Sequence, residues 1–209
     1  MARPRKKATR PIFPSIFIFC EGKKTEPNYF RALINSLNFP GELAKVKVID
    51  SDKTNLVGLV NEAKELKKNN RYGIVDDEYW IVVDKDGYTM HAQGFDQALA
   101  NSFNIAFSSV CFEFWILCHF TYTTAQKAKC EKLIKEQLEA NIPNYEKNQI
   151  DIYDIIKMKQ NNACAAAKRI RKHWEAVGEG KPIYELNPYT DVDRLVEKLV
   201  DYSNELKNK

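Results

Sequence analysis

Short runs of β-branched and aromatic residues, alternating with stretches of helical period, narrow the folds open to this chain more than any other feature. Ser15 to Cys20 (SIFIFC), Lys45 to Ile49 and Tyr79 to Val83 read as strands. Between them, Glu26 to Leu37 places Tyr29, Phe30, Leu33 and Leu37 along one helical stripe. Asn55 to Lys68 does the same through Leu56, Leu59, Val60, Ala63 and Leu66. Gly22 permits a turn after the first strand, Thr25 is placed to cap the first helix, and Pro27 fits its first turn, where an amide has no partner to lose. A helix from Phe95 to Asn101 and a short strand from Asn104 to Phe107 continue the alternation. Strands this apolar, joined through helices, require a parallel sheet covered on both faces, an α/β fold with right-handed crossovers.

From Phe112 onward the pattern is mainly helical, with segments expected at Phe112–Phe120, Ala125–Leu138, Ile150–Met158 and Asn162–Ala176. In the last helix, Thr190 is the expected cap and Asp193 the acid of a capping box, ahead of the stripe Val192, Leu195, Val196, Leu199. A chain of 209 residues suffices for one well-buried core. We expect a basic tail over 1–14 and a single domain over 15–209, its core at about 15–120 and a helical extension at about 121–209.

The charge of +4 is local: Arg3, Arg5, Lys6, Lys7 and Arg10 open the chain, and the remainder carries 27 basic against 28 acidic residues. Such a tail reads either as an electrostatic arm for phosphates or as a solubilising leader. Cys20, Cys111, Cys118, Cys130 and Cys164 are odd in number and include no CxxC, which favours reduced thiols in an apolar core and a cytoplasmic location. No His stands at compact spacing from a Cys pair, which argues against structural zinc. The run Ile16 to Cys20 stops at Glu21, too soon for an export signal or a membrane span.

The chemistry concentrates in acids at strand ends. Ligands of open parallel sheets collect beyond the carboxyl ends of the strands, and there Glu21 follows the first strand while Asp84 and Asp86 follow the third. If strand geometry persists through Asp86, both aspartates point one way, and Gly87 lets the chain turn off. Carboxylates gathered on one rim repel unless a cation joins them, and a hard ion such as Mg²⁺ suits an all-oxygen set. DKDG alone also reads as a solvent-facing turn; the joint placement with Glu21 favours the metal. Glu113 interrupts the apolar SSVCFEFWILCHF, where it reads equally as a ligand, a first-turn acid exposed at a helix start, or half of a salt bridge. His119, about 120° around the helix from Glu113, reads as a core histidine. Lys23 and Lys24 flank Glu21 and are either surface lysines or phosphate ligands.

Four blocks, FIFCEGKKTEPNYF, WIVVDKDG, CFEFWILCHF and NPYT before a helix, resemble in order the RloB-like family, whose members have a topoisomerase-primase (TOPRIM) type core. The resemblance implies a TOPRIM-like parallel sheet. Glu21 matches the acid after its first strand, Asp84 and Asp86 its DxD, and Glu113 the glutamate of the CFE block. The family pattern usually has Pro before that Cys, where this chain has Val110. Kinship further implies bacterial defence against phage, including abortive infection, and a separate ABC/AAA-type ATPase partner; no GxxxxGK[ST] occurs here.

Together these readings point to a metal-dependent endonuclease acting on DNA or RNA. Glu21, Asp84 and Asp86 would hold Mg²⁺, with Mn²⁺ able to substitute, Glu113 would help with a second ion or orient water, and Lys24 or Lys23 would position phosphate. Two alternatives stand beside this reading: a non-cleaving regulatory module that binds an ATPase or nucleic acid, and a nucleotidyl or phosphoryl transferase.

Overall fold

The computed structural model describes residues 13–39, 45–69, 76–85, 90–147 and 151–208. Asp86, Gly87 and all of the basic tail except Phe13 and Pro14 lie outside them.

Five strands, β1 (Ile16–Cys20), β2 (Val46–Ile49), β3 (Glu78–Asp84), β4 (Asn104–Ser109) and β5 (Tyr189–Thr190), form one sheet in the order β2-β1-β3-β4-β5. The first four are parallel, in register Ile18 beside Val48 and Trp80, and Val82 beside Ala106. Helices α1 (Thr25–Leu37), α2 (Leu56–Asn69) and α3 (His91–Ala100) make the crossovers. After α4 (Glu113–Cys118) come α5 (Cys130–Leu133), extended by a π turn over Ile134–Leu138, α6 (Ile152–Ile156), α7 (Gln160–Val177) and α8 (Val192–Lys207). The fold is thus α/β, with a mostly parallel sheet between helices, a helical C-terminal region, and a topology consistent with a TOPRIM-like core.

Strand alternation separates two cores. Ile16, Ile18, Trp80, Val82 and Ala106 face a layer built from α1, α4, α7 and α8, whose Tyr29, Phe30, Trp115, Ile170 and Leu195 complete it. Phe17, Phe19, Ile81, Val83 and Phe107 face α2 and α3 through Leu56, Leu59, Val60 and Ala98. Every residue of β1 is buried. Each large side chain there contributes about 1.5–3 kcal/mol by leaving water, and Ile18→Ala would cost about 2–5 kcal/mol.

Several boundaries differ from expectation for identifiable reasons. Thr25 is the first residue of α1, not its cap, and no side chain caps that end; Asn38, at φ 49° in the left-handed region, terminates the helix. Helix α3 begins at His91 rather than Phe95 and so runs through Gly94, which sits against Leu56 of α2, where a Cβ would come within 2.4 Å of Leu56 Cγ. Residues 125–129 are not helical: the Lys127 backbone N–H donates to Asn187 Oδ1, and Asn187 Nδ2 donates back to the Lys127 carbonyl.

Thr190 stands one residue ahead of the cap position of the last helix, though its hydroxyl accepts the Val192 N–H, the first of that helix, at 3.4 Å. It lies in β5, antiparallel to Ser108, the one antiparallel pairing of the sheet among the described residues. Asp191 takes the cap position, and Asp193 binds Arg171 instead of closing a capping box. Burial lifts the Asp191 carboxyl from its ordinary 3.8 to about 6, while its Oδ1 accepts the Phe107 backbone N–H at 2.6 Å.

Candidate metal centre

The strand order places a topological switch between β1 and β3: the chain leaves β1 for β2 on one side, then returns to β3 on the other. In open α/β sheets ligands bind outside the carboxyl ends at such a point, where the loops diverge. Glu21 stands at that point, its backbone N–H donating to the Val82 carbonyl at 3.0 Å and so extending the β1–β3 ladder by one residue. Asp84 is the last residue of β3, level with Ser108 of β4, and the Lys85 N–H donates to the Ser108 carbonyl at 3.1 Å. Both carboxylates are half-buried on adjacent strands.

The turn after Glu21 is closely packed. The Glu26 carboxylate lies against Gly22, where an added Cβ would fall 1.8 Å from Glu26 Oε2. Gly22, whose φ is not positive, leaves room for this close approach by the Glu26 carboxylate. Glu26 is buried, and its charge, second to burial itself, helps push the Cys20 thiol pKa well up. Sequence reasoning missed Glu26. The signal available was its position four residues after Gly22, in the first turn of a helix. Lys23 is exposed and pairs with Asp52 at 3.3 Å, beside a cleft of about 230 Å³ that Gly22, Asp50 and Ser51 also line. Lys24 is exposed at the cap position of α1.

Glu113 opens α4 and is only 2% exposed, which rules out the solvent-facing first-turn acid. Tyr145 donates its hydroxyl to Oε1 at 3.3 Å, Cys130 Sγ lies 3.2 Å from Oε2, and Lys147 Nζ is 4.0 Å from Oε2. Burial first, and the Glu113 charge next, raise the Tyr145 pKa, keeping the phenol protonated as a donor. The charge of Glu26 and a hydrogen bond with Thr25 act on the same phenol, so the Glu113 pocket adjoins the β1–α1 turn.

The cysteines depart from the expected set of reduced thiols. Cys111 and Cys130 form a disulfide across 19 residues, with Cα atoms 5.7 Å apart, while Cys20, Cys118 and Cys164 are free and buried. The pairing arises because the chain after α4 folds back over that helix's start, a tertiary fact that spacing alone does not carry. The Ser109–Val110 peptide bond is cis.

Among the described residues, Cys111, Glu113 and Cys130 form a candidate metal-coordinating cluster, with ligand atoms all within 4.8 Å of one another. Glu21, Asp84 and Glu113 are not drawn together that closely. His119 is a core histidine: fully buried, edge-on to Trp115, with Nδ1 facing the Trp115 and Ile116 carbonyls, and lowered by burial to about 4.

The family model described as RloB-like protein matches residues 16–199. The chain belongs to the RloB-like family. No curated protein and no solved structure gives a match. The match takes in Glu21, Asp84 and the cysteine–glutamate cluster, so both acidic regions of this RloB-like chain lie within the family's span. None of the described helices is long and apolar enough to cross a membrane.

Proposed function

We propose that this RloB-like protein is a metal-dependent endonuclease that hydrolyses phosphodiesters in DNA or RNA, as an effector of bacterial anti-phage defence alongside a separate ATPase. The observation that carries the reading is the placement of Glu21 and Asp84 on adjacent parallel strands at the switch point of the sheet. Family membership supports it as well.

The donor chemistry suits a hard divalent ion: Glu21 and Asp84 offer carboxylate oxygens, and Asp86 adds a third by its place in the sequence. Bound there, Mg²⁺ or Mn²⁺ would supply Lewis-acid polarisation of a phosphate and a more acidic water. The protein's own groups bind and orient. Glu26, packed on Gly22, fixes the turn that carries Glu21. Lys24 or Lys23 on that turn meets phosphate, for which Lys23 exchanges its exposed partner Asp52; an exposed ion pair is worth at most about 1 kcal/mol and gives way readily. Glu113 would orient the attacking water or help with a second ion, with Tyr145 holding its Oε1.

The test is cleavage of DNA, tRNA and bulk RNA by the purified chain, with and without an ATPase encoded beside it, in Mg²⁺ or Mn²⁺. Glu21→Gln and Asp84→Asn should each lower the rate by about a thousandfold with thermal stability unchanged. Cleavage that survives both substitutions, or none in any combination, would sink the nuclease reading.

A further inference from the structure

We propose that Cys111, Cys130 and Glu113 form a thiolate–carboxylate site for zinc, opened when the Cys111–Cys130 disulfide is reduced. The inference concerns sulfur ligands and does not depend on nuclease activity at the rim.

Geometry supplies the first argument. The three ligand atoms lie within 4.8 Å of one another. Around a tetrahedral zinc, with bonds of about 2.0–2.3 Å, neighbouring ligands sit about 3.3–3.8 Å apart, so side-chain rotation suffices to reach the metal once the sulfurs separate. Three protein donors leave the fourth position to water. Cys130 is half-buried while Cys111 and Glu113 are buried, which gives the ion an entry on one side.

Orientation and charge supply the second. Tyr145 donates to Glu113 Oε1, and the Cys130 sulfur lies 3.2 Å from Oε2. That is the arrangement by which an outer hydrogen bond fixes a ligating carboxylate. Two thiolates and a carboxylate carry three negative charges, which zinc reduces to one. The Lys147 ammonium, 4.0 Å from Oε2, neutralises the remainder. Thiolate donors select zinc over magnesium, so the site differs in kind from the Glu21–Asp84 rim, with Glu113 the one residue the two share.

The two states exchange in balanced steps. A dithiol reductant passes two electrons and two protons to the Cys111–Cys130 bond, itself closing to a disulfide and leaving two cysteine thiols. Zinc then displaces both thiol protons to solvent. Disulfide and metal use the same two sulfurs and exclude each other.

The experiment takes full-length protein, either oxidised or reduced with dithiothreitol and desalted under argon. Each sample is incubated with equimolar zinc, desalted again and assayed for metal per chain; cobalt provides a parallel spectroscopic readout through its thiolate charge-transfer absorption. The reduced chain is expected to retain one zinc more than the oxidised chain, whose carboxylate rim is the same in both samples. Cys130→Ser should abolish retention, Glu113→Gln should weaken it, and Cys164→Ser, outside the cluster, should leave it intact. Absence of zinc from the reduced wild type, or retention undiminished by Cys130→Ser, would overturn the proposal. Should Cys130→Ser fail to fold, the comparison of oxidised with reduced wild type still decides.

Discussion

Asp193 and Glu113 are both acids in the first turn of a helix, and both are shut away from solvent, at 0% and 2% exposure. Their neighbours differ. Asp193 is held by the Arg171 guanidinium through two bonds of 2.5 and 2.7 Å, and the same arginine donates to the Thr190 carbonyl at 3.2 Å, locking β5 and α8 onto α7. A planar fork on a carboxylate is strong and geometrically closed. Glu113 meets a phenol, a sulfur and an ammonium at the limit of ion-pair distance. These are groups that can move or change oxidation state. Burial of an acid is therefore a poor guide to function, and the exchangeability of its partners is a better one.

The contrast can be broken most sharply at Asp193. Asp193→Ala strands the mostly buried Arg171 charge and should lower unfolding free energy by about 3–5 kcal/mol in urea titration. A loss below about 1 kcal/mol would remove the structural reading of the latch.

Asp191 sharpens the comparison through pH. Its folded pKa of about 6 exceeds the ordinary 3.8, so the folded state holds this proton more tightly than the unfolded chain does. Its contribution to stability is fully present below about pH 4 and is lost as pH rises through about 6, by up to about 3 kcal/mol. Asp191→Asn keeps an acceptor for the Phe107 N–H and should flatten the stability profile in that window; an unchanged slope would assign the titration elsewhere.

The smallest effect is expected at Glu113. Glu113→Gln retains an oxygen for Tyr145 and should alter stability by no more than about 1 kcal/mol. It should lower metal-dependent cleavage by about 10- to 100-fold, the range for groups that support a metal site. A loss of stability as large as that of Asp193→Ala would make the two acids equivalent and erase the distinction.

The layering was legible in the chain because strand and helix periods are local. SIFIFC and YWIVV fill buried strands, and the stripes of α1 and α2 face the sheet as their spacing predicts. That Glu21 and Asp84 share a carboxyl rim was legible for a related reason, since parallel strands end on one side, whereas their adjacency came from the strand order. Where the reading failed, distant partners intervened. Thr190 was drawn into the sheet by Ser108, residues 125–129 were held extended by Asn187, and helix α3 was obscured by a glycine required for contact with Leu56.

By itself, then, the sequence determined an α/β sandwich with acids at its strand ends, because those properties follow from periodicity and from where strands stop. Only the tertiary structure decided which buried acid is locked and which is exchangeable. Arg171 reaches Asp193 across 22 residues, and Cys111 meets Cys130 across 19. Tyr145 finds Glu113 from 32 residues away, because the helical extension folds back over the start of α4. Such pairings depend on how the layers pack, and no local pattern encodes that.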